Sequence, residues 1–200
     1  MSRLPAAQRR EQLLDCAAKL FAERGYARAT TAELARSAGV TEPIIYRHFA
    51  SKRDLFIALI DRTGDETLAQ WKHELADAKD PAERLRRIVG ENPLVRPHGQ
   101  APYRVIIQAI TEVDDAKIRE ALDRHIAKLH AFITGEVRKA QDDHKVNIRV
   151  APELVAWMLI YVAIGYGVVT AWGIAEHGRD AQGTHVVQAI NRMLIGKDPK

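Results

Sequence analysis

Cysteine is nearly missing from this sequence. Cys16 is the one cysteine among 200 residues, so no disulfide can form within the chain, which is typical of a reducing compartment. The N-terminal residues MSRLPAAQRREQLL have no apolar run of the kind that a signal peptide needs. No segment alternates apolar and polar residues as a half-buried strand does. We therefore expect a cytoplasmic, all-α protein.

Patterns typical of an active site or a metal site are missing too. The eight histidines are scattered, and His125 and His130 are five apart, which puts them on different faces of a helix. Gly165 and Gly167 lie inside a predicted helix rather than after a strand, so they do not form a nucleotide-binding loop. No Ser, Cys or His has the neighbours of an activated nucleophile. We expect neither an enzyme nor a bound metal or cofactor.

Net charge is low overall but unevenly distributed. The chain carries a formal charge of +4, and residues 1–55 hold ten Lys and Arg against six Asp and Glu, whereas residues 56–200 hold twenty of each. The whole positive excess therefore lies in the first quarter of the sequence. That asymmetry is typical of a phosphate-binding N-terminal domain joined to a neutral one.

The segment 30–49, TTAELARSAGVTEPIIYRHF, predicts two short helices around a tight turn. Thr30 and Glu33 have the spacing of a capping box, so a helix should begin close to residue 32. Gly39 can adopt the left-handed conformation that ends it. Pro43 falls in the first turn of the next helix, where a missing N–H has little effect. This is the geometry of a helix-turn-helix, whose second helix enters the major groove of DNA.

The rest of the chain predicts helices with apolar residues at spacings of three and four. A long amphipathic helix near the middle and an uncharged one after it are the main features. The predicted helices cover residues 6–24, 51–76, 81–91, 103–113, 115–142, 152–176 and 184–195, and loops cover 92–102, 143–152 and 177–183.

Residues 154–175 form a run of 22 without Lys, Arg, Asp or Glu, which is long enough to span a membrane. Glycines and aromatics are spread through it and the flanks have no Lys/Arg bias, so burial in protein is the favoured interpretation. Together with the last helix it offers more apolar surface than one chain of this size can cover, which indicates a dimer. The dimerisation residues predicted from these stripes are Met158, Val162, Gly165, Val169, Val186, Ile190, Met193 and Leu194.

Three runs in the first 60 residues carry a family resemblance. They are FAERGY at the end of the first helix, TTAELARSAGV, and IYRHF followed by SKRDL. In combination they closely resemble the DNA-binding domain of the Tet repressor (TetR) family of bacterial transcription factors. The resemblance implies a three-helix DNA-binding domain over residues 1–55. It also implies a C-terminal helical bundle over 56–200 that binds a ligand and dimerises through its last two helices.

The resemblance also assigns DNA-contacting positions. Glu42 stays open between accepting from cytosine N4 and serving the helix dipole, and His48 between a phosphate contact and surface packing. Arg47 has the donors to bind guanine O6 and N7. By resemblance, Thr41, Glu42, Pro43, Ile44, Arg47 and His48 face base edges, and Thr31, Tyr46 and Lys52 hold phosphates.

A small-molecule site in the C-terminal domain is likewise implied by the resemblance. Apolar cavities with a few polar groups between bundle helices are common ligand sites. The alternative for each aromatic residue is that it fills the core. The candidate residues for a largely apolar ligand are Tyr103, Gln108, Phe132, Trp157, Tyr161 and Trp172.

The sequence is thus interpreted as a homodimeric repressor that a ligand releases from an inverted-repeat operator. An activator of the same fold, or a regulator that needs its ligand to bind DNA, is the first alternative. An adaptor that uses residues 154–175 for membrane or protein contact is the second.

Overall fold

The computed structural model describes residues 4–90, 92, 100–146, 149–174 and 177–195, and gives the backbone only for residues 100–102. Within these ranges the regular elements are helices, apart from one isolated antiparallel bridge between Arg179 and His185, and the predicted all-α fold class is confirmed. The helices are α1 (Ala6–Arg24), α2 (Thr31–Ala38), α3 (Glu42–His48), α4 (Lys52–Glu74), α5 (Pro81–Gly90), α6 (Gln100–Gln108), α7 (Ala116–Asp142), α8 (Pro152–Ala171) and α9 (Val186–Ile195), with a 3-10 turn over Ala109–Glu112.

Two helices differ most from their predicted limits, and the other limits agree within two residues. The structure ends α8 at Ala171 rather than near residue 176, because Gly173 adopts a left-handed φ of 75° and its N–H donates to the Thr170 carbonyl. It begins α6 at Gln100, inside the predicted loop over 92–102. Pro102 is tolerated there because the first N–H groups of a helix have no intrahelical partner. Residues 93–99 of that loop lie outside the described residues.

The chain folds into two compact units. The first consists of Met1–Thr63 and Ala101–His125, and the second of Gly64–Gln100 and Ile126–Lys200. The first unit therefore includes a segment from α6 and α7 as well as the helix-turn-helix. The division of the sequence at residue 55 into functional domains stays a prediction.

The core of the first unit is built around aromatic rings. Phe21 lies edge-on to Tyr26 and to Phe56, each at 5.6 Å between centroids, and Tyr26 stacks on Phe56 at 4.4 Å. Val105 and Ile118, from the second segment of this unit, are buried in the same cluster. Each fully buried aliphatic or Phe side chain contributes about 1.5–3 kcal/mol to folding. This core fixes the positions of α2 and α3, which are too short to be stable alone.

The second unit has its own apolar core. Trp71, Leu85, Ile133, Val155 and Leu194 are buried there, so α4, α5, α7, α8 and α9 all contribute. This is the layout of a helical bundle, as the sequence predicts for the C-terminal region.

Candidate nucleic-acid interface

The first helix of the candidate interface, α2, begins with the predicted capping box. The Glu33 N–H donates to Thr30 Oγ1 at 3.2 Å, and the Thr30 N–H donates to Glu33 Oε2 at 3.0 Å. The backbone hydrogen bond from Thr30 is the main cause that lowers the pKa of Glu33. Gly39 ends the helix in the left-handed region with a φ of 64°, and the Val40 N–H donates to the Ala35 carbonyl at 2.9 Å.

The second helix, α3, buries one face and exposes the other. Ile45 and Phe49 are 1% and 4% exposed, and they anchor the helix in the core of the first unit. Pro43 lies in the first turn, and Thr41 precedes the helix without a side-chain capping hydrogen bond. Of the positions predicted to contact DNA here, Thr41, Pro43, Tyr46 and Arg47 are exposed, and Glu42, Ile44 and His48 are half-buried.

Arg47 is the exposed cation of this face. Among the residues that the structure describes, none accepts a hydrogen bond from it or pairs with it. Its guanidinium is therefore available for a bidentate contact with guanine O6 and N7. This placement supports the predicted role in base recognition.

Three polar side chains join α2 to α3. Thr31 Oγ1 donates to Glu42 Oε2 at 2.7 Å, and Tyr46 Oη lies 3.3 Å from Thr31 Oγ1. The predicted phosphate contacts Thr31 and Tyr46 thus lie side by side, next to the carboxylate of a predicted base contact. The sequence did not reveal this connection, because the three residues are neighbours only after the turn has folded.

Lys52 has a different environment from the one expected of a phosphate contact. Its Nζ atom donates to the carbonyls of Tyr26, Ala27 and Ala29 at 2.9, 3.3 and 3.0 Å. An ammonium group has three hydrogens, and here each has an acceptor within the protein. Phosphate contact by Lys52 stays a prediction, and the structure adds a role in holding the segment before α2.

Two contacts that the sequence did not predict hold the start of α1 in place. The Arg10 guanidinium lies 4.9 Å from the centroid of the Phe49 ring, and Gln12 Nε2 donates to the Ala38 carbonyl at 3.3 Å. Both contacts hold α1 against the ends of α2 and α3. The sequence indicates neither contact, because it shows only a basic and a polar residue early in an amphipathic helix.

The helix-turn-helix and the residues around it are similar to those of known proteins. The family model described as bacterial regulatory proteins, tetR family, matches residues 13–59, which span the end of the first helix, the turn and the start of α4. Residues 13–59 thus carry the DNA-binding region typical of the TetR family. The resemblance seen in the sequence is confirmed, and TetR-family regulators are transcription factors rather than enzymes.

Two relatives illustrate how far the similarity extends. The transcriptional activator FasR of Mycolicibacterium smegmatis is 36% identical over 107 residues, which cover 54% of this chain and 49% of that protein. The chain therefore matches about half the length of this relative. The nucleoid occlusion factor SlmA of Shewanella frigidimarina is 27% identical over 165 residues, 82% of this chain and 84% of that protein.

Solved structures of transcriptional regulators share the fold over almost the full length of the chain. A TetR-family regulator from Agrobacterium tumefaciens superposes with a TM-score of 0.79 at 18% identity, covering 96% of this chain and all of that one. A regulator from Saccharomonospora viridis in complex with choline gives a TM-score of 0.80 at 22% identity, with 96% and 100% coverage. At these identities the likeness establishes the fold alone.

The six candidate ligand residues are spread over both units. In the first unit, Tyr103 is buried with its ring 5.7 Å from that of His125, and Gln108 Nε2 donates to the Ala22 carbonyl at 3.5 Å. The other four belong to the second unit: Phe132 stacks on Trp71, Trp157 lies between His130 and Tyr161, and Tyr161 and Trp172 are 64% and 71% exposed.

A cavity in the second unit has a different lining. It measures about 30 Å³, which is room for about two water molecules, and side chains of α5, α7, α8 and α9 surround it. None of the six candidates is among its lining residues. Those residues include Ile88, Ile133, Ala163, Tyr166, Val187 and Ile190. The assignment of the six to a ligand site stays a prediction.

The predicted dimerisation residues have mixed environments. Met158, Val162 and Met193 are 50%, 42% and 68% exposed, whereas Leu194 is buried in the core of the second unit. Gly165 is exposed, and Val169, Val186 and Ile190 are half-buried. By length and composition alone, α8 is long and apolar enough to cross a membrane. In its most apolar stretch of 18 residues, 28% is buried in this chain. A large apolar surface on α8 is therefore exposed in this chain.

Proposed function

We propose that this protein is a DNA-binding transcriptional regulator. The observation that carries the proposal is the exposed face of α3, with Pro43, Tyr46 and Arg47 directed away from the core that Ile45 and Phe49 anchor. A helix presented in this way by a helix-turn-helix fits the major groove. The positive excess of residues 1–55 supports the same conclusion, because phosphate neutralisation supplies much of the affinity for DNA. A regulator of this kind acts in the cytoplasm, where the DNA is.

We propose that the active form is a homodimer that binds an inverted repeat. The exposed apolar residues of α8 and α9, such as Met158, Val162 and Met193, support pairing of these helices with their copies in a second chain. A two-fold symmetric dimer presents two copies of α3, so its operator has two half-sites in inverted orientation.

The first candidate for the regulatory action is repression that a ligand relieves. A largely apolar small molecule is the ligand class that suits the described cavity of the second unit, because aliphatic side chains form most of its lining. The cavity measures about 30 Å³, so binding has to widen it. Such a ligand releases DNA only if it binds the DNA-free conformation more tightly. The second candidate is activation, which the similarity to the activator FasR favours.

Selection of bound fragments from genomic DNA, followed by footprinting, tests the proposal. We expect a protected inverted repeat with half-site centres about 10 base pairs or a multiple of that apart. Arg47→Ala should weaken binding to this operator by about 1–3 kcal/mol with little effect on random duplex. Arg36→Ala removes the same charge from an exposed position on α2 and serves as the control. Equal losses on operator and random DNA for Arg47→Ala would refute base recognition by Arg47.

Identification of the ligand needs a separate experiment. Native mass spectrometry of the purified dimer should detect a co-purified small molecule, and its addition should change operator affinity. A reporter gene behind the selected operator then distinguishes the two candidates. Higher expression without the protein indicates repression, and lower expression indicates activation.

A further inference from the structure

The hydroxyl hydrogens of Thr31 and Tyr46 are used in hydrogen bonds between α2 and α3. A threonine hydroxyl has one hydrogen, and Thr31 donates it to Glu42 Oε2 at 2.7 Å. At the 3.3 Å contact with Tyr46 Oη, Thr31 Oγ1 can then only accept, so the Tyr46 hydroxyl is the donor. The hydrogens run in one direction, from Tyr46 to Thr31 to the carboxylate. In the DNA-free protein neither hydroxyl points its hydrogen toward solvent.

Phosphate oxygens need those same hydrogens. They accept hydrogen bonds and donate none, as does a carboxylate. Thr31 can therefore serve Glu42 or a phosphate, and Tyr46 can donate to Thr31 or to a phosphate. An anionic oxygen of the Glu42 carboxylate thus occupies the position beside Thr31 Oγ1 that a phosphate oxygen would take.

We infer that Glu42 is a specificity-determining residue that holds the phosphate donors Thr31 and Tyr46 until a correct base pair accepts its carboxylate. The inference rests on the DNA-binding function proposed above. On random duplex, contact with phosphate displaces the carboxylate and leaves it beside negative charge, which weakens binding. On a site with cytosine facing the start of α3, the N4 amino group donates to the displaced carboxylate. The carboxylate then replaces the lost hydrogen bond from Thr31 with one from the base, so binding to this site is favoured.

Glu42 lies where such a contact is possible. It is the first residue of α3, and the N-terminal residues of a recognition helix are the ones that reach base edges. It is half-buried, so its carboxylate needs only a change of side-chain rotamer to leave Thr31.

The test compares two substitutions that remove the same charge. Glu42→Gln keeps an oxygen that accepts from Thr31, whereas Glu42→Ala keeps none. On random duplex, measured by fluorescence anisotropy at fixed salt, Glu42→Ala should bind about two- to tenfold more tightly than Glu42→Gln, the range of one net hydrogen bond. On the selected operator, Glu42→Ala should lose the preference for the C·G pair at the position that Glu42 faces.

The same pair of substitutions in a Thr31→Val background is the matched control. Valine has the shape of threonine without the hydroxyl, so the difference between Glu42→Ala and Glu42→Gln should vanish there. A general effect of charge or of helix stability would be the same in both backgrounds. Equal affinities of the two Glu42 variants for random duplex, or a difference that persists with valine, would overturn the inference.

Two further measurements keep the outcome unambiguous. Thermal melting of each variant verifies the fold, and Thr31→Ala replaces Thr31→Val if the latter does not fold. The wild-type chain tests the proposed function separately. Salt-dependent binding to duplex without any Thr31-dependent difference refutes the role of Glu42 alone, whereas no binding to any duplex at low salt refutes both proposals.

Discussion

The ammonium of Lys52 lies 4.4 Å from the centre of the Tyr26 ring and donates to the Tyr26 carbonyl at 2.9 Å. It also donates to the carbonyls of Ala27 and Ala29, so it fastens the first turn of α4 to the segment that leads into α2. The Tyr26 ring in turn stacks on Phe56 at 4.4 Å. Lys52 therefore links the start of α4 to the aromatic cluster in the core of the first unit.

Replacing this ammonium should destabilise the fold. We expect Lys52→Met to lower the free energy of unfolding by about 1–3 kcal/mol, because three carbonyls lose a charged donor while the apolar stem is retained. Urea denaturation measures the change, with Lys19→Met at an exposed position on α1 as the control. Unchanged stability with a salt slope of DNA binding reduced by about 0.9 would instead support a phosphate contact.

The helix-turn-helix was predictable because its signals are local. Thr30 and Glu33 are three apart, Gly39 alone marks the end of α2, and Pro43 marks the first turn of α3. The role of Lys52 was not predictable, because its acceptors are backbone carbonyls, which are the same in every sequence. The contact of Thr31 with Glu42 was not predictable either, since it forms only after the turn brings the starts of α2 and α3 together.

In the C-terminal region the periodicity of apolar residues predicted the helices but not what covers each face. Met193 and Leu194 are adjacent in an apolar stripe, yet the first is 68% exposed and the second 5% exposed. A stripe indicates burial without saying whether the same chain or another one provides it. The ligand candidates have the same difficulty, because aromatic residues suit a pocket and a core equally.

The contrast between these two neighbours provides a test of dimerisation. Met193→Asp should shift the protein from dimer to monomer, because it places a charge in the proposed interface while the core of each chain is untouched. Leu194→Ala should instead lower stability by about 2–5 kcal/mol through loss of core packing. Light scattering and thermal melting separate the two effects. A Met193→Asp protein that is still dimeric at micromolar concentration would exclude this residue from the interface.

The second unit contains a largely buried ion pair between Arg84 and Glu136. The Glu136 side chain is 5% exposed, and Arg84 binds both of its carboxylate oxygens, with Nη2 3.0 Å from Oε1. Burial opposes ionisation of Glu136, but the hydrogen bonds from Arg84 and Lys139 outweigh burial and hold its pKa below the usual value. The pair therefore stays charged in a poorly solvated place.

Removing one partner leaves the other charge buried. We expect Arg84→Met to destabilise the protein by up to about 3–5 kcal/mol, reduced to the extent that Lys139 still pairs with Glu136. The control is Arg138→Met, because Arg138 pairs with Glu153 at the surface, where side-chain exposures are 57% and 48%. That change should have an effect below about 1 kcal/mol. Similar losses of stability in the two variants would contradict the account.

His185, directly before α9, is held in its neutral form. Its Nδ1 atom accepts from the Val187 N–H at 3.2 Å, so Nε2 carries the hydrogen and donates to Tyr166 Oη, also at 3.2 Å. Burial lowers the pKa of His185, and the nearby charge of Arg179 acts in the same direction. Protonation of Nδ1 would turn the acceptor that caps α9 into a donor facing another donor.

The free energy of unfolding should therefore decrease as the pH is lowered. The unfolded chain takes up a proton at His185 as the pH drops through the ordinary value of 6.5, while the folded chain does not, so the contribution is complete above that pH and is lost below it. In urea denaturation, His185→Asn should remove this part of the pH dependence, because asparagine can still accept from the Val187 N–H without titrating. His73→Asn, at an exposed position on α4, is the control and should retain the wild-type slope between pH 7.5 and 5.5. If His185→Asn lost stability with acid as steeply as the wild type, the pH dependence would have to originate at another group.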